Sequence, residues 1–370
     1  MKVVPITALG CGLALAGLPV FMFSVPSRVQ NGDAARILFI ESFPGIHQDN
    51  IMIMNPDGTG QVRLERPNGN PLEADWSPDG CKILSRIGVR SDGDRSIQAS
   101  LRLDSADRSN SRALIGDVES GPANGLQNYF SPDGSKIVYI SRSHDIMVVN
   151  ADGSGVKKLT TQLYAFQPSW SPDGSKILFM TNGLPHRIWT MNPDGTDLHD
   201  IGGGSDAQWS PDGSKVMYVT SDQTHSDIAV MKPDGKDMKI LTNGAGIVVH
   251  PSWSPDGSKI AFLSVGQDDI VLDVMNADGS HRIQISDHLI VDLEVGQGAT
   301  WSPDSSTLTF HRLPLSMKEM ASQFPINGPQ PLRIDIYTVG VDGANLTKLP
   351  TSGMALNPKW SPTPRCKKNP

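Results

Sequence analysis

The sequence is short of cysteine and of positive charge, and both shortages exclude classes of protein. Three cysteines among 370 residues, with no CxxC pair, are too few for a disulfide-rich scaffold or a structural zinc site. The chain carries 32 Lys and Arg against 39 Asp and Glu, a formal net charge of −7. Nucleic-acid binding needs a surplus of basic side chains on one face, so we expect no nucleic-acid partner.

Sequence signatures of catalysis and of cofactor binding are also missing. The chain has no GxSxG, HExxH, Walker, EF-hand or GxGxxG pattern. We therefore predict a protein without a cofactor and without catalytic activity. Hydrophobic residues still make up 38% of the chain, which is enough for a substantial core, and 36 glycines and 28 prolines favour a fold with many turns.

Long apolar runs are missing except at the start of the chain. Residues 3–27 carry no charge, and Lys2 is the only base before Arg28. Such a run is typical of a signal peptide or an uncleaved membrane anchor, with a buried N-terminal helix as a further alternative. The preceding lysine favours an extracytoplasmic location, periplasmic or at the cell surface, for the rest of the chain. We divide the chain into this segment (1–27), a linker (28–34), a repeat domain (35–362) and a basic tail (363–370).

The repeat domain contains two alternating turn motifs. Trp-Ser-Pro-Asp-Gly or a close variant begins at seven positions: Trp76, Phe130, Trp170, Trp209, Trp253, Trp301 and Trp360. Between these copies lies an Asn-Pro-Asp-Gly-like motif, which begins at Asn55, Asn150, Asn192, Lys232, Asn276 and Gly340, with a degenerate copy at 104–107. Proline favours the first central position of a turn, and glycine adopts the left-handed conformation that follows.

Short apolar runs between these turns predict four antiparallel strands in each unit of about 40 residues. We name them A, which ends at the motif aromatic residue, then B, C and D. Four-stranded units repeated at this period predict an all-β fold, a β-propeller. The first B–C–D set has no A strand before it and the last A strand has no set after it, so the two are expected to form one blade. Seven blades result, or six if the irregular second set is misassigned.

The paired WSPDG and NPDG motifs resemble those of the TolB-like β-propeller family, also called WD40-like Pro-Asp repeats (PD40). The resemblance covers about residues 35–362 and rests on seven spaced copies. It implies a propeller fold, a periplasmic location and binding of a lipoprotein partner at the mouth of the channel. Similar propellers also occur beside serine peptidase domains and in some pectin-fragment lyases.

Strand direction separates two faces of the predicted ring. Strands A and C both run up to a Pro-Asp-Gly turn, so these turns share one face, here called the PDG rim. The B–C and D–A connections lie on the other face, the loop rim. The four long insertions all fall on the loop rim, at 87–97, 116–125, 286–296 and 312–331. Binding residues concentrate on such loops, so we place the functional surface there; drift in loop length is the alternative.

Strand A is expected to line a central channel. The third residue before each motif aromatic residue, here called the mouth column, is mostly polar, and its candidate ligand-binding members are Glu73, Gln127, Gln167, Asp206, His250 and Asn357. The residue directly before the aromatic one, the wall column, shares its strand parity and should face the same way: Asp75, Tyr129, Ser169, Gln208, Ser252, Thr300 and Lys359. The small intervening residues should pack against the next strand.

A polar funnel of this kind suits a peptide end, a sugar or an ion, although a solvated channel without a ligand gives the same pattern. Glu73, Asp206 and His250 are of metal-ligating types, but no pair has diagnostic spacing, so no metal site is predicted.

The longest insertion and the cysteines give two further hypotheses. Residues 316–319 fit a capping box, and Met317, Met320 and Phe324 follow at helical spacing, which predicts a helix that grips a partner or packs on its own scaffold. Cys81 follows the first WSPDG turn and Cys366 lies just beyond the last motif, so a disulfide between them is plausible outside the cytoplasm.

The leading functional hypothesis is a non-catalytic, extracytoplasmic binding propeller that docks a protein or peptide on the loop rim, attached to a membrane only through its N-terminal segment. The first alternative is a hydrolase or lyase that acts on an extracytoplasmic sugar or ester and uses residues such as Glu73, Asp206 and His250. The second is a sensor domain for an enzyme on another chain.

Overall fold

Short runs of β-branched and aliphatic residues between polar turns form the strands, as the sequence predicts. The computed structural model describes residues 34–43, 49–64, 69–90, 97–118, 129–183, 186–221, 225–244, 246–266, 270–289, 298–312 and 334–363. Every residue of the strand Ile177–Thr181 is buried, which explains why its sequence is almost continuously apolar.

The described chain forms 27 strands and no helix. In order they are β1 (Ile37–Ser42), β2 (Asn50–Met54), β3 (Val62–Arg63), β4 (Asn70–Trp76), β5 (Lys82–Arg90), β6 (Ile97–Ser105), β7 (Ser111–Val118), β8 (Lys136–Ile140), β9 (Ile146–Asn150), β10 (Lys157–Lys158), β11 (Ala165–Trp170), β12 (Ile177–Thr181), β13 (Arg187–Met191), β14 (His199–Gly203), β15 (Ser205–Trp209), β16 (Val216–Ser221), β17 (Ser226–Met231), β18 (Lys239–Ile240), β19 (Ile247–Trp253), β20 (Lys259–Val265), β21 (Ile270–Asn276), β22 (Ile283–Leu289), β23 (Thr300–Trp301), β24 (Thr307–Arg312), β25 (Asp335–Gly340), β26 (Thr347–Lys348) and β27 (Met354–Trp360).

These strands make seven antiparallel blades arranged in a ring, which confirms the predicted propeller. Blade 1 has the strand order β27-β1-β2-β3, and blades 2, 4, 5, 6 and 7 each contain four strands in sequence order. Blade 3 contains β8, β9 and β10, and its inner strand is reduced to a single bridge between Phe130 and Ile137. The irregular second set forms a regular blade, so the count is seven and not six.

The ring closes in blade 1, where the two ends of the repeat domain pair. Strand β27 is antiparallel to β1, with Ile37 opposite Trp360 and Ser42 opposite Met354. Beyond the ladder, the amide of Arg36 donates to the Ser361 hydroxyl at 2.8 Å, and the Ser361 amide donates to the Arg36 carbonyl at 2.7 Å. The predicted pairing of the unmatched first and last sets is confirmed.

Each Trp-Ser-Pro-Asp-Gly turn is held by its own serine and aspartate. In blade 5 the Ser210 hydroxyl donates to Asp212 at 2.6 Å and accepts from the Lys215 amide at 2.9 Å, while the Ser214 amide donates to Asp212 at 3.0 Å. Gly213 adopts a φ of 71°, in the left-handed region. The serine and aspartate of these motifs are therefore turn residues.

The core lies between neighbouring blades. Trp209 of blade 5, 7% exposed, packs with Leu178 and Ile188 of blade 4 and with Val216 and Met231 of its own blade. The motif tryptophans thus fill the seams between blades. Their burial fixes the inner strands around the channel.

Several predicted loops differ from expectation or lie outside the described residues. The insertion at 87–97 is partly strand, because β5 continues to Arg90 and β6 begins at Ile97; β22 likewise continues to Leu289. Extending a hairpin pairs its backbone groups, which a loop would leave to solvent. Residues 1–33 and the predicted helix with Met317, Met320 and Phe324 lie outside the described residues. Within the part that is described, no helix could cross a bilayer.

Cys81 forms a disulfide bond. The other two cysteines, Cys11 and Cys366, lie outside the described residues. The predicted partner Cys366 therefore stays a prediction.

Candidate functional site: the central channel

A cavity of about 750 Å³ occupies the centre of the ring. One wall-column residue from each blade lines it: Asp75, Tyr129, Ser169, Gln208, Ser252, Thr300 and Lys359. Towards the PDG rim the lining continues to motif prolines such as Pro172 and Pro211. The channel therefore has a polar wall contributed by all seven blades and an apolar collar on the PDG side.

The mouth column divides into two groups. Gln167, Asp206 and His250 line the cavity together with Gly298. Glu73 and Asn357 are buried, with 2% and 7% of their surface exposed. Gln127 lies outside the described residues. The structure thus brings three of the six predicted mouth residues to the cavity, all from blades 4, 5 and 6.

A repeated β-bulge sets the direction of these side chains. Gln167, Asp206, His250 and Asn357 all have φ between 49° and 52°, in the left-handed region. The ladder shifts register at the same place, between Ser205 and Gln208 in blade 5. A bulge inserts one residue and breaks the alternation of side chains. In blades 4, 5 and 6 both columns line the cavity, but intervening residues such as Ala207 and Pro251 line it as well, so strict alternation does not hold here.

Hydrogen bonds from wall side chains connect neighbouring inner strands. The Gln208 amide donates to the Pro251 carbonyl at 2.7 Å, the Ser252 hydroxyl to the Ala299 carbonyl at 3.1 Å, and the Thr300 hydroxyl to the Pro358 carbonyl at 2.9 Å. Each bond runs from one blade to the intervening residue of the next. We call these contacts the wall bonds.

The indole groups make a second set of bonds between blades. The Nε1 of Trp170 donates to the Tyr129 carbonyl at 3.1 Å, and that of Trp301 donates to the Ser252 carbonyl at 3.2 Å. The indole of Trp76 bonds the Lys359 carbonyl in the same way at 3.2 Å. We call these contacts the indole bonds.

Both kinds of bond are missing at the seam between blades 4 and 5, and the Trp253 indole of blade 6 also lacks a partner among the described residues. Ser169 is 6% exposed and Trp209 is 7% exposed. Among the described residues, neither the Ser169 hydroxyl nor the Trp209 Nε1 finds a hydrogen-bond partner. Buried polar groups are almost always hydrogen-bonded, so these groups are exceptions within the packing between blades.

The opposite side of the channel is charged. The Lys359 Nζ lies 3.4 Å from the Asp75 Oδ2. Behind this pair, Arg86 lies 3.4 Å from Glu73. Burial raises the pKa of Asp75, and Lys359 opposes the rise. Burial, with the negative charge of Glu73, raises the pKa of Tyr129, so its hydroxyl is neutral at physiological pH.

The described channel residues hold no cluster suited to a metal ion. Within the described ranges, no three His, Cys, Asp or Glu side chains come together as ligands. Glu73 is engaged with Arg86, while Asp206 and His250 line the cavity from neighbouring blades. The wall donors are used mainly between blades, and the Asp206 and His250 side chains line the cavity at its mouth.

Comparison with known proteins finds a family model that matches part of this chain. Residues 205–313 match the family model of the TolB β-propeller domain. In fold the chain resembles the TolB-like β-propellers. Comparison with curated proteins gave no match.

Solved structures with a similar fold include TolB, a lyase and a propeller domain of a protease. TolB from Acinetobacter baumannii is 16% identical with a TM-score of 0.57, over 90% of this chain and 68% of that chain. Oligogalacturonate lyase from Vibrio parahaemolyticus is 16% identical with a TM-score of 0.58, over 74% and 82%. The propeller domain of the trilobed protease from Pyrococcus furiosus is 10% identical with a TM-score of 0.59, over 86% and 95%. At these identities the likeness shows the fold.

The sequence analysis identified the mouth and wall columns of this propeller but missed the bulge and the donors that lack a partner. A signal for the bonding wall was present: Ser, Thr or Gln in the wall column faces Pro or Ala of the next blade. The exception at Ser169 and Trp209 has no counterpart in the sequence, because both residues match their repeats.

Proposed function

We propose that this TolB-like propeller is a non-catalytic, extracytoplasmic binding protein that docks a protein or peptide partner on the loop rim and at the channel mouth. The supporting observation is the channel itself, whose wall column is polar in every blade and lines a cavity of about 750 Å³. A concave site with a few convergent polar groups is the usual form of a binding pocket.

The burial of the motif tryptophan rings favours a peptide over a sugar as the ligand in the channel. Carbohydrate sites usually offer an open aromatic ring face for stacking. Here Trp170, Trp209 and Trp301 are 4%, 7% and 7% exposed, because their rings pack between blades. Trp253 and Trp360 are partly buried. The Asp206 carboxylate and the His250 imidazole at the mouth instead suit a polypeptide, whose main chain carries both donors and acceptors.

The disulfide at Cys81 supports the extracytoplasmic part of the proposal. Disulfides persist in oxidising compartments and are rare in the cytosol. An N-terminal segment that is either a cleaved signal or a retained anchor would deliver the domain there, and N-terminal sequencing of the mature protein distinguishes the two.

Peptide selection tests the proposal. The protein is immobilised and a random heptapeptide phage library is selected on it; the recovered peptides are then synthesised. We expect Asp206→Ala and His250→Ala to weaken their binding at least tenfold. Asp194→Ala, on the PDG rim, is the matched control and should bind them unchanged. Failure to recover peptides, or binding unaffected by both mouth substitutions, overturns the proposal.

The enzymatic alternative receives less support from the geometry. It requires Glu73 beside Asp206 and His250, but Glu73 is 2% exposed and engaged with Arg86. Hydrolysis of esters or cleavage of oligogalacturonates that is lost in Asp206→Ala and His250→Ala would establish the enzyme instead.

A further inference from the structure

Tyr164 differs from the other aromatic side chains of the described residues. It is 60% exposed, whereas every other Phe, Tyr and Trp in the described ranges is buried or half-buried. Its φ is 48°, in the left-handed region, where no other described Phe, Tyr or Trp lies. Bulky residues rarely adopt this conformation, and such backbone strain concentrates at functional sites. A ring that stays largely in solvent gives the fold little packing in return for that strain.

Tyr164 lies on the loop rim, at the edge of the channel mouth. It comes directly before β11, in the connection from blade 3 to blade 4. Its carbonyl accepts from the Asn182 amide at 3.4 Å, and its ring lies 5.9 Å from the ring of His144. Gln167, three residues further along, lines the cavity. Three residues of chain span at most about 11 Å, so a ligand that extends out of the channel can reach Tyr164.

The surface around Tyr164 exposes a positive charge and no acidic side chain. The chain segments that meet there are 141–145, 160–167 and 181–187. They contain one acid, Asp145, which is 3% exposed and lies 2.6 Å from the Lys158 ammonium. Arg142, in the turn between β8 and β9, is exposed. In a chain with a net charge of −7, this local balance of charge favours an acidic partner.

We propose that Tyr164 and Arg142 form the rim part of the binding site and dock an acidic segment of the partner where it leaves the channel mouth. The inference rests on the proposed binding function and names the chemistry of its partner. Tyrosine is common among the residues that dominate binding energy, because its ring supplies a large and rigid contact area. The guanidinium of Arg142 matches a carboxylate through paired hydrogen bonds.

Two exposed residues in equivalent positions test the aromatic contact. Tyr164 and Ile247 each stand six residues before the motif tryptophan of their blade, and Ile247 is 46% exposed. Tyr164→Gly removes the ring and suits the left-handed backbone, so the melting temperature should stay the same or rise. Affinity for the selected heptapeptides should fall about tenfold. Ile247→Ala, on the same rim but in blade 6, should leave their affinity unchanged.

The charge of Arg142 is tested separately. Arg142→Glu should weaken the same heptapeptides about tenfold, whereas Arg142→Lys keeps the charge and should retain most of the affinity. The recovered peptides should carry more Asp and Glu than Lys and Arg. Their affinity should fall when sodium chloride is added, because salt screens charges at an exposed surface.

The outcomes separate this inference from the proposed function. If Asp206→Ala and His250→Ala weaken the peptides but Tyr164→Gly and Arg142→Glu do not, the channel binds peptides and the rim site is wrong. Recovered peptides without an excess of acid also overturn the inference. So does weaker binding of Tyr164→Gly that comes with a lower melting temperature, because the ring then supports the fold.

A second copy of the chain is the competing occupant of this surface. Sedimentation of the free protein should show a monomer. A dimer that Tyr164→Gly dissociates would assign the surface to self-association and overturn the inference. Recovery of no peptides overturns both this inference and the proposed function.

Discussion

The ammonium group of Lys359 lies 3.4 Å from the carboxylate of Asp75 and joins the last strand of the chain to blade 2. Lys359 belongs to β27, which closes blade 1, and Asp75 belongs to β4. The indole of Trp76 bonds the carbonyl of the same lysine at 3.2 Å. The strand that closes the ring is thus held from both sides, by β1 within its own blade and by β4 across the seam.

Removing one partner of this pair should destabilise the ring. Asp75→Ala leaves the Lys359 ammonium, whose side chain is 10% exposed, without its counter-charge. We expect a loss of about 2 kcal/mol in the free energy of unfolding. This loss is smaller than for a fully buried ion pair, because the Asp75 side chain is partly exposed to solvent. Urea denaturation measures the loss.

A double variant separates the pair from the packing. Asp75→Leu with Lys359→Met removes both charges, and its loss should be smaller than that of Asp75→Ala. An equal or larger loss in the double variant would show that the charges themselves do not carry the effect.

Gly235 should tolerate no side chain. Its φ is 80°, and an added Cβ would lie 2.5 Å from the Ile201 carbonyl oxygen of blade 4. We expect Gly235→Ala to cost about 2 kcal/mol or more in unfolding free energy, from the unfavourable backbone conformation and the contact together. Thermal or urea unfolding provides the measurement.

Gly244 supplies the control for backbone conformation. Its φ is 79°, but an added Cβ would meet no described atom within 4 Å. Gly244→Ala should therefore cost only the conformational part, about 1 kcal/mol. Equal costs at the two positions would contradict the role of the contact between blades.

The turn aspartates should make the propeller less stable in acid. Hydrogen bonds from Ser131 and the Ser135 amide lower the pKa of Asp133 to about 2, and Ser210 and Ser214 do the same for Asp212, also to about 2. A folded-state pKa below the unfolded value of about 3.9 adds stability above that pH, which is lost as pH falls towards 2. Asp75, with a raised pKa, acts in the opposite direction.

Urea midpoints between pH 5 and pH 2 test this dependence. The double variant Asp133→Asn, Asp212→Asn has no titrating carboxylate at these two turns. Its free energy of unfolding should therefore fall less between pH 5 and pH 2 than that of the natural chain. A parallel decline in both proteins would place the acid sensitivity elsewhere.

The disulfide of Cys81 is expected to involve Cys366. A bridge between residues so far apart in sequence constrains the unfolded chain strongly, and Cys81→Ser should cost about 2–4 kcal/mol. Non-reducing peptide mass analysis should find the two cysteines in one linked species. A link between Cys81 and Cys11 would contradict the prediction.

The ring was predictable from the sequence because each blade repeats its turn chemistry. Asp212 and Gly213 recur with the same neighbours in most copies, so local rules fix the strands, and the unmatched Trp360 fixes the closure. The channel was only partly predictable. Four residues of different types adopt the left-handed conformation in the inner strands: Gln167, Asp206, His250 and Asn357. This conformation depends on how each inner strand fits its neighbour, so the preferences of the residues do not predict it. The Ser169 hydroxyl and the Trp209 indole lack partners because of the geometry between blades 4 and 5, which the repeated motifs do not reveal.

The pairing of Ile37 with Trp360 has a practical consequence for handling the protein. The described chain enters and leaves the propeller ring on the same face, the PDG rim. In a chain trimmed to residues 34–363, a tag or tether at either end therefore starts from that side. Coupling this trimmed protein to a sensor chip by its ends presents the opposite side to the solution, which is the orientation that the peptide experiments require.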